Sequence, residues 1–240
     1  MAIPIRNSAE LQRLLVAIAK ELVEANIFFR LHMDLIAASR EFADEMNESW
    51  TFWDRTIASH LDAAILRLCK IYDQKPRNLG LFGLLDTVRA NPHLFSAEEY
   101  TKRMEGRAPN LLIDGPPILD LPTLETDIAH VRRGTNAMVD RLVNVRHNYY
   151  SHRNADDVVA DVTVGVKHPI TRDEVGTLLR DGMEIANRYN ALFDANFYST
   201  QMVGHEDYKH VLAAVRQQIA ALRRAFQEDC RRSGVDPPDL

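Results

Sequence analysis

Residues 8–47 read SAELQRLLVAIAKELVEANIFFRLHMDLIAASREFADEMN, and their spacing decides the fold class. Leu11, Ile18, Ala25, His32, Ser39 and Met46 recur every seven residues, and so do Leu15, Leu22, Phe29, Ile36, Ala43 and Trp50. The two series interleave at three and four, which lays one apolar stripe along a helix. Ser8 is a good N-cap. No Gly or Pro interrupts Asn7 to Gln74. The pattern predicts one long helix to about Asn47, with a kink near Arg30. A second helix follows from near Thr51 to Tyr72, with Ile57, Leu61, Ala64, Leu68 and Ile71 inside.

Helical periodicity continues outward from this pair. Asn78 is placed to cap a short helix through Val88, and Ser96 with Glu99 forms a capping box for another. Gly106 to Pro122, with two glycines and four prolines, reads as a loop inserted within one domain. Asp120 and Pro122 can start the next helix, on which Leu124, Ile128, Val131, Met138, Leu142, Val145 and Tyr149 repeat at three and four. Val158, Ala160, Val162, Val164 and Val166 alternate with other residues, which fits a short strand or an extended loop equally well. Thr171 and Glu174 make a further capping box. Two helices, roughly Arg172 to Tyr198 and Glu206 to Arg232, complete the pattern, and 233–240 form a frayed tail.

The fold class is therefore all-α: an antiparallel helical bundle with a long N-terminal helix, a mid-chain loop insertion and an extra C-terminal helix. We read residues 1–240 as one domain, with its core at about 8–198 and its last helix at 205–232. The 46% hydrophobic and 26% charged residues of the 240 suit a globular chain with its own core. A formal net charge of −5 argues against a surface that holds nucleic acid everywhere. It leaves room for a local basic cleft. Cys69 and Cys230 stand far apart without a CxxC partner, which predicts two buried thiols in a reducing, cytoplasmic compartment. Met1 to Ser8 lacks the apolar core of a signal peptide, and runs such as Leu14 to Ala19 are too short to span a bilayer.

The stretch that carries chemistry is Arg146-His147-Asn148-Tyr149-Tyr150-Ser151-His152-Arg153-Asn154. Arg146 offers a permanent planar charge suited to a phosphate. His152 titrates near neutrality and can give or take a proton. On a regular helix the two point about 120° apart. If the Leu142, Val145 and Tyr149 stripe faces a second subunit, two-fold contact would bring two Arg–His pairs into one groove. The plainer reading is that both groups cap carbonyls at a helix C-terminus and carry surface charge.

This segment resembles the ribonuclease motif of the HEPN superfamily, in which an Arg and a polar residue precede a His. Five residues separate Arg146 from His152, and His152-Arg153-Asn154 is similar to the His-Arg-Asp ending of the abortive-infection AbiU-type branch, with Asn154 in place of Asp. Arg67-Leu68-Cys69-Lys70-Ile71-Tyr72-Asp73, followed by Leu79-Gly80-Leu81-Phe82-Gly83-Leu84-Leu85, resembles a second helix end of that branch, interrupted by Lys70-Ile71. The resemblance covers roughly Ser8 to Tyr198. It implies RNA cleavage without a metal or other cofactor. Arg146 and His152 would be catalytic, with His147, Asn148, Tyr150 and Arg153 on the substrate. It also implies a homodimer, RNA as substrate and a nucleotidyltransferase-type antitoxin as partner. The competing readings are a non-catalytic helical dimer that binds RNA or a protein, and a purely structural oligomerisation module.

Other groups have simpler readings. Trp50 and Trp53, which flank Phe52, are read as core, with an RNA-stacking platform as the alternative. Tyr149 is read as core. Arg67 and Asp73 are read as local ion pairs or caps. Arg132-Arg133 and Arg223-Arg224 are solvated pairs, Asp156, Asp157 and Asp161 an acidic loop. His60, His93, His130, His168, His205 and His210 lack metal-ligand spacing.

Overall fold

In a computed structural model, residues 2–105, 116–147, 159, 170–201 and 204–236 are described. Among them the chain is all-α, with no strand. The elements are α1 (Ser8–Glu41), α2 (Ala43–Asn47), α3 (Trp50–Ile71), α4 (Leu81–Ala90), a 3-10 turn (Pro92–Phe95), α5 (Ala97–Met104), α6 (Leu121–Val131), α7 (Ala137–Val145), α8 (Arg172–Asp194) and α9 (Tyr208–Arg232). The valine-rich 158–166 segment lies outside the described residues, Val159 excepted.

The helix termini follow their capping chemistry. Thr171 and Glu174 form the reciprocal capping box of α8. Ser96 accepts from the Glu99 N–H at the start of α5, and Asp120 from the Thr123 N–H at the start of α6. α8 ends at Asp194, short of Tyr198, because Ala195 takes a left-handed conformation at φ +58°.

Four expectations need correction. α1 stops at Glu41, so the break falls at Phe42 (φ −118°, ψ 37°) and not near Arg30. The 124–149 pattern is two helices, since Arg132 to Asn136 form a turn with Gly134 at φ +85° and Asn136 caps α7 by accepting from the Met138 N–H. The seven-residue step from Val131 to Met138 keeps the heptad count and hides the turn. Asn78 does not cap α4: Gly80 is the N-cap, without a side-chain bond, and Asn78 donates to Asp73 instead. Trp50 is 53% exposed, and only Trp53 of the two tryptophans is core.

The described residues form two compact units. The first holds residues 1–26 and 62–200. Its core includes Leu11, Leu15, Ile18, Leu22, Leu68, Ile71, Tyr72, Leu81, Leu84, Leu142 and Leu178, all nearly solvent-free. α4 packs on α6, and α8 packs on α5 and α7. Gly182 brings α8 close: a Cβ there would stand 3.0 Å from Leu22 and 3.2 Å from the Tyr72 hydroxyl. That hydroxyl donates to the Leu178 carbonyl at 2.7 Å.

The second unit holds residues 27–61 and 201–240. Leu35, Ala38, Phe42, Met46, Trp53 and Leu212 make its core, flanked by Ile57 and Tyr208. α9 packs on α2, where Arg216 bonds the buried carboxylate of Glu45 and stacks on Phe42. His32 is buried with Nδ1 2.9 Å from the Ile57 carbonyl.

Candidate functional site

The end of α3 and the end of α7 meet within the first unit. Cys69 and Asp73 are four apart at and just past the end of α3, so they share a face. Leu142 and Arg146, also four apart, answer them on α7. The Cys69 thiol donates to the Leu142 carbonyl at 3.8 Å. The Asp73 carboxylate pairs with Arg146 Nη1 at 3.1 Å. The two segments that carried the resemblance, Arg67–Asp73 and Arg146 onward, are therefore joined by one ion pair.

Asp73 is fixed from three sides. Its Oδ1 accepts from the Lys75 backbone N–H at 2.9 Å, and its Oδ2 accepts from Asn78 at 2.8 Å as well as pairing with Arg146. Burial pushes this carboxyl up, but the Asn78 and Lys75 bonds and the Arg146 charge outweigh it, so Asp73 lies below its ordinary value. The turn that holds it is built around Gly80. A Cβ at Gly80 would lie 2.6 Å from the Asp73 carbonyl oxygen and 3.2 Å from its nitrogen, a gap no other residue fits.

Arg146 is held but not sealed. Its side chain is 27% exposed, against 8% for Asp73. The backbone at Arg146 and His147 widens from α into a π-type turn, a distortion that re-aims side chains. The Arg146 N–H reaches both the Leu142 and Val143 carbonyls. His147 is exposed. Cys69 lies beside this pair, and burial pushes its thiol up to about 12 despite the Arg146 charge nearby. It is an inert packing thiol. Cys230, read as buried from the sequence, is only partly so.

The chain that leaves α7 at His147 returns to α7 at Thr171. Glu174, which closes the Thr171 capping box, also bonds Arg141 of α7. Both ends of the 147–171 stretch are thus tied to one short helix. Asn148, Tyr149, Tyr150, His152 and Arg153, together with Asp156, Asp157, Asp161 and His168, lie outside the described residues.

The remaining predicted groups fall elsewhere. Arg67 pairs with Glu21 at 2.9 Å and reaches Glu24 at 3.7 Å, joining α3 to α1. Among the described residues, no group of three or more His, Cys, Asp or Glu is placed to hold a metal ion. Sequence reasoning missed a second polar cluster between α6 and α8. There Asp127 accepts from Tyr189 at 2.8 Å and pairs with Arg188, and His130 Nε2 sits 3.0 Å from Asp181. Burial and the neighbouring Asp127 raise the Tyr189 hydroxyl. Its members are 61 and 51 residues apart, so no local pattern announces them.

No helix of the described residues is long and apolar enough to cross a membrane. Neither the curated proteins nor the solved structures contain a match to this chain. A family model does match: that of AbiU2, a HEPN family, over residues 8–214. That span takes in both helix ends joined by Asp73 and Arg146, and the chain belongs to the AbiU2 family of HEPN domains.

Proposed function

We propose that this chain is an endoribonuclease that needs no metal, with Arg146 and His152 as its catalytic residues. The ribose 2′-hydroxyl attacks the adjacent phosphorus, the bond from phosphorus to the 5′-oxygen breaks, and a cyclic phosphate and a 5′-hydroxyl result. His152 takes the proton from the attacking hydroxyl or returns one to the leaving oxygen. Arg146 holds the charge that builds on the phosphate. His147, Asn148, Tyr150 and Arg153 bind phosphate or ribose.

The observation that carries this reading is the 3.1 Å pair between Arg146 and Asp73. A guanidinium oriented in advance spends little on ordering when a phosphate arrives. Part of it remains open to solvent, which leaves donors for that phosphate. Membership of a HEPN family supports the reading. We place the activity in the cytoplasm, in a homodimer that shares one groove between two Arg–His pairs. Its setting is toxin–antitoxin or phage defence, with a nucleotidyltransferase-type antitoxin as the partner.

The test is incubation of RNA with purified protein in EDTA beside Arg146→Ala and His152→Ala. Cleavage that survives chelation and is lost in both variants is the expected result. RNA bound but uncut in every condition would favour a non-catalytic helical dimer instead.

A further inference from the structure

α7 has nine residues and is about 13 Å long. A helix this short does not hold its own place. Its buried face, Val139, Leu142 and Val145, seats it against the core, and directional bonds at its two ends fix where it sits along its axis. The exit end is held by the Asp73–Arg146 pair. The entry end is gripped by the next residue along the chain, Gln74. Its Nε2 donates to the Val131 carbonyl at 3.0 Å and to the Tyr72 carbonyl at 2.9 Å, and its Oε1 accepts from the Arg133 N–H at 3.3 Å.

Val131 ends α6, where a helix leaves carbonyls without partners. From there the turn into α7 is stiff. Asn136 donates to the His130 carbonyl at 2.7 Å and accepts from the Met138 N–H at 2.9 Å, and Asp140 accepts from the Gly134 N–H at 3.1 Å. A shift at Gln74 is therefore carried into α7. Two consecutive residues just past α3 hold the two ends of the helix that leads to Arg146.

A carboxamide supplies two N–H donors and an acceptor from one group, which matches these three bonds. A glutamate of the same length keeps the acceptor, loses both donors and turns a negative charge toward two carbonyl oxygens. Gln74 is half-buried, so water can replace its bonds and the fold survives their loss. Water does not fix the distance between the turn and Asp73.

We propose that Gln74 is a positioning residue for RNA cleavage: it fixes the entry of α7 and, through that helix, where the Arg146 guanidinium meets the scissile phosphate. This role rests on the nuclease reading. Misplacing a group by about 1 Å is enough to slow a reaction roughly 100-fold.

The test is steady-state cleavage of a fluorescent RNA oligonucleotide in EDTA by the full chain, beside Gln74→Ala, Gln74→Glu and Gln12→Ala, with circular dichroism confirming that each is folded at the assay temperature. Gln12 is the control: it too is half-buried, and its bond to Asp194 at 2.8 Å joins α1 to α8. Gln74→Ala should lower kcat roughly 10- to 100-fold and leave KM within about twofold. Gln74→Glu should lose as much, which assigns the effect to the donated bonds, and Gln12→Ala should keep wild-type kcat. Wild-type kcat in either Gln74 variant would overturn the proposal, as would a loss confined to KM or an equal loss of kcat in Gln12→Ala. A wild type that leaves RNA whole sinks the nuclease reading itself, whereas an active wild type beside an equally active Gln74→Ala sinks the role of Gln74 alone.

Discussion

Asp73 and Arg146 stand 3.1 Å apart at the meeting point of two helix ends. The acid is nearly buried while the base keeps about a quarter of its surface. That asymmetry sets different costs for losing each partner. Asp73→Ala strands a partly buried guanidinium and should cost roughly 3 kcal/mol, the low end for breaking a buried pair. Arg146→Ala leaves Asp73 with its Lys75 and Asn78 bonds and should cost about 1–2 kcal/mol. Urea unfolding of the two variants checks the order.

Gly80→Ala drives a methyl into the Asp73 backbone, since the Cβ would start 2.6 Å from that carbonyl oxygen. The backbone cannot give way as a flexible side chain would. The expected loss is about 1–3 kcal/mol, and RNA cleavage should fall along with it because the carboxylate that positions Arg146 moves. Gly134→Ala is a useful contrast. There only the left-handed backbone objects, since a Cβ meets no atom within 4 Å, and the cost should be nearer 1 kcal/mol with cleavage unchanged.

His60 gives the second unit a pH dependence. Burial, with the nearby His32 charge second, lowers His60 below its ordinary 6.5. Its ring lies 5.8 Å from that of Phe28. The unfolded chain therefore takes up this proton first. The stabilisation from neutral His60 is fully present above pH 6.5 and is lost as pH falls through the lower folded value. Melting temperature should drop between about pH 7 and 5, and His60→Gln should flatten that limb. A wild-type profile flat across this window would contradict the assignment.

Cys69 should be silent in the native protein. In a Cys230→Ser background, a thiol reagent at pH 8 should label nothing until denaturant is added, because burial holds the Cys69 thiol at about 12. Labelling of the folded protein within minutes would show that the α3–α7 contact opens readily.

Much of the fold was legible because capping chemistry and apolar spacing are local. Thr171 with Glu174 and Asp120 with Thr123 start their helices as their types dictate. The heptad reading of α1 drifted, because a straight helix turns 3.6 residues and slips by about 20° per heptad. Leu15 and Leu22 are buried as counted, but further along Leu35, Ala38 and Phe42 stand inside in place of Ile36, Ser39 and Ala43. The turn at Gly134 stayed hidden behind an unbroken seven-residue interval. Arg146 was legible as a candidate from its crowded neighbourhood, whereas Asp73 was not. Its partner depends on the register between α3 and α7, which no spacing within either helix records.

The most direct measurement is cleavage of an RNA oligonucleotide in chelator beside the same strand with 2′-deoxy sugars throughout, the product ends being read by mass spectrometry. We expect the RNA to be cut to fragments ending in a 2′,3′-cyclic phosphate, and the deoxy strand to remain whole. Cutting of the deoxy strand, or an RNA strand left whole, would contradict attack by the ribose hydroxyl at an Arg146–His152 site.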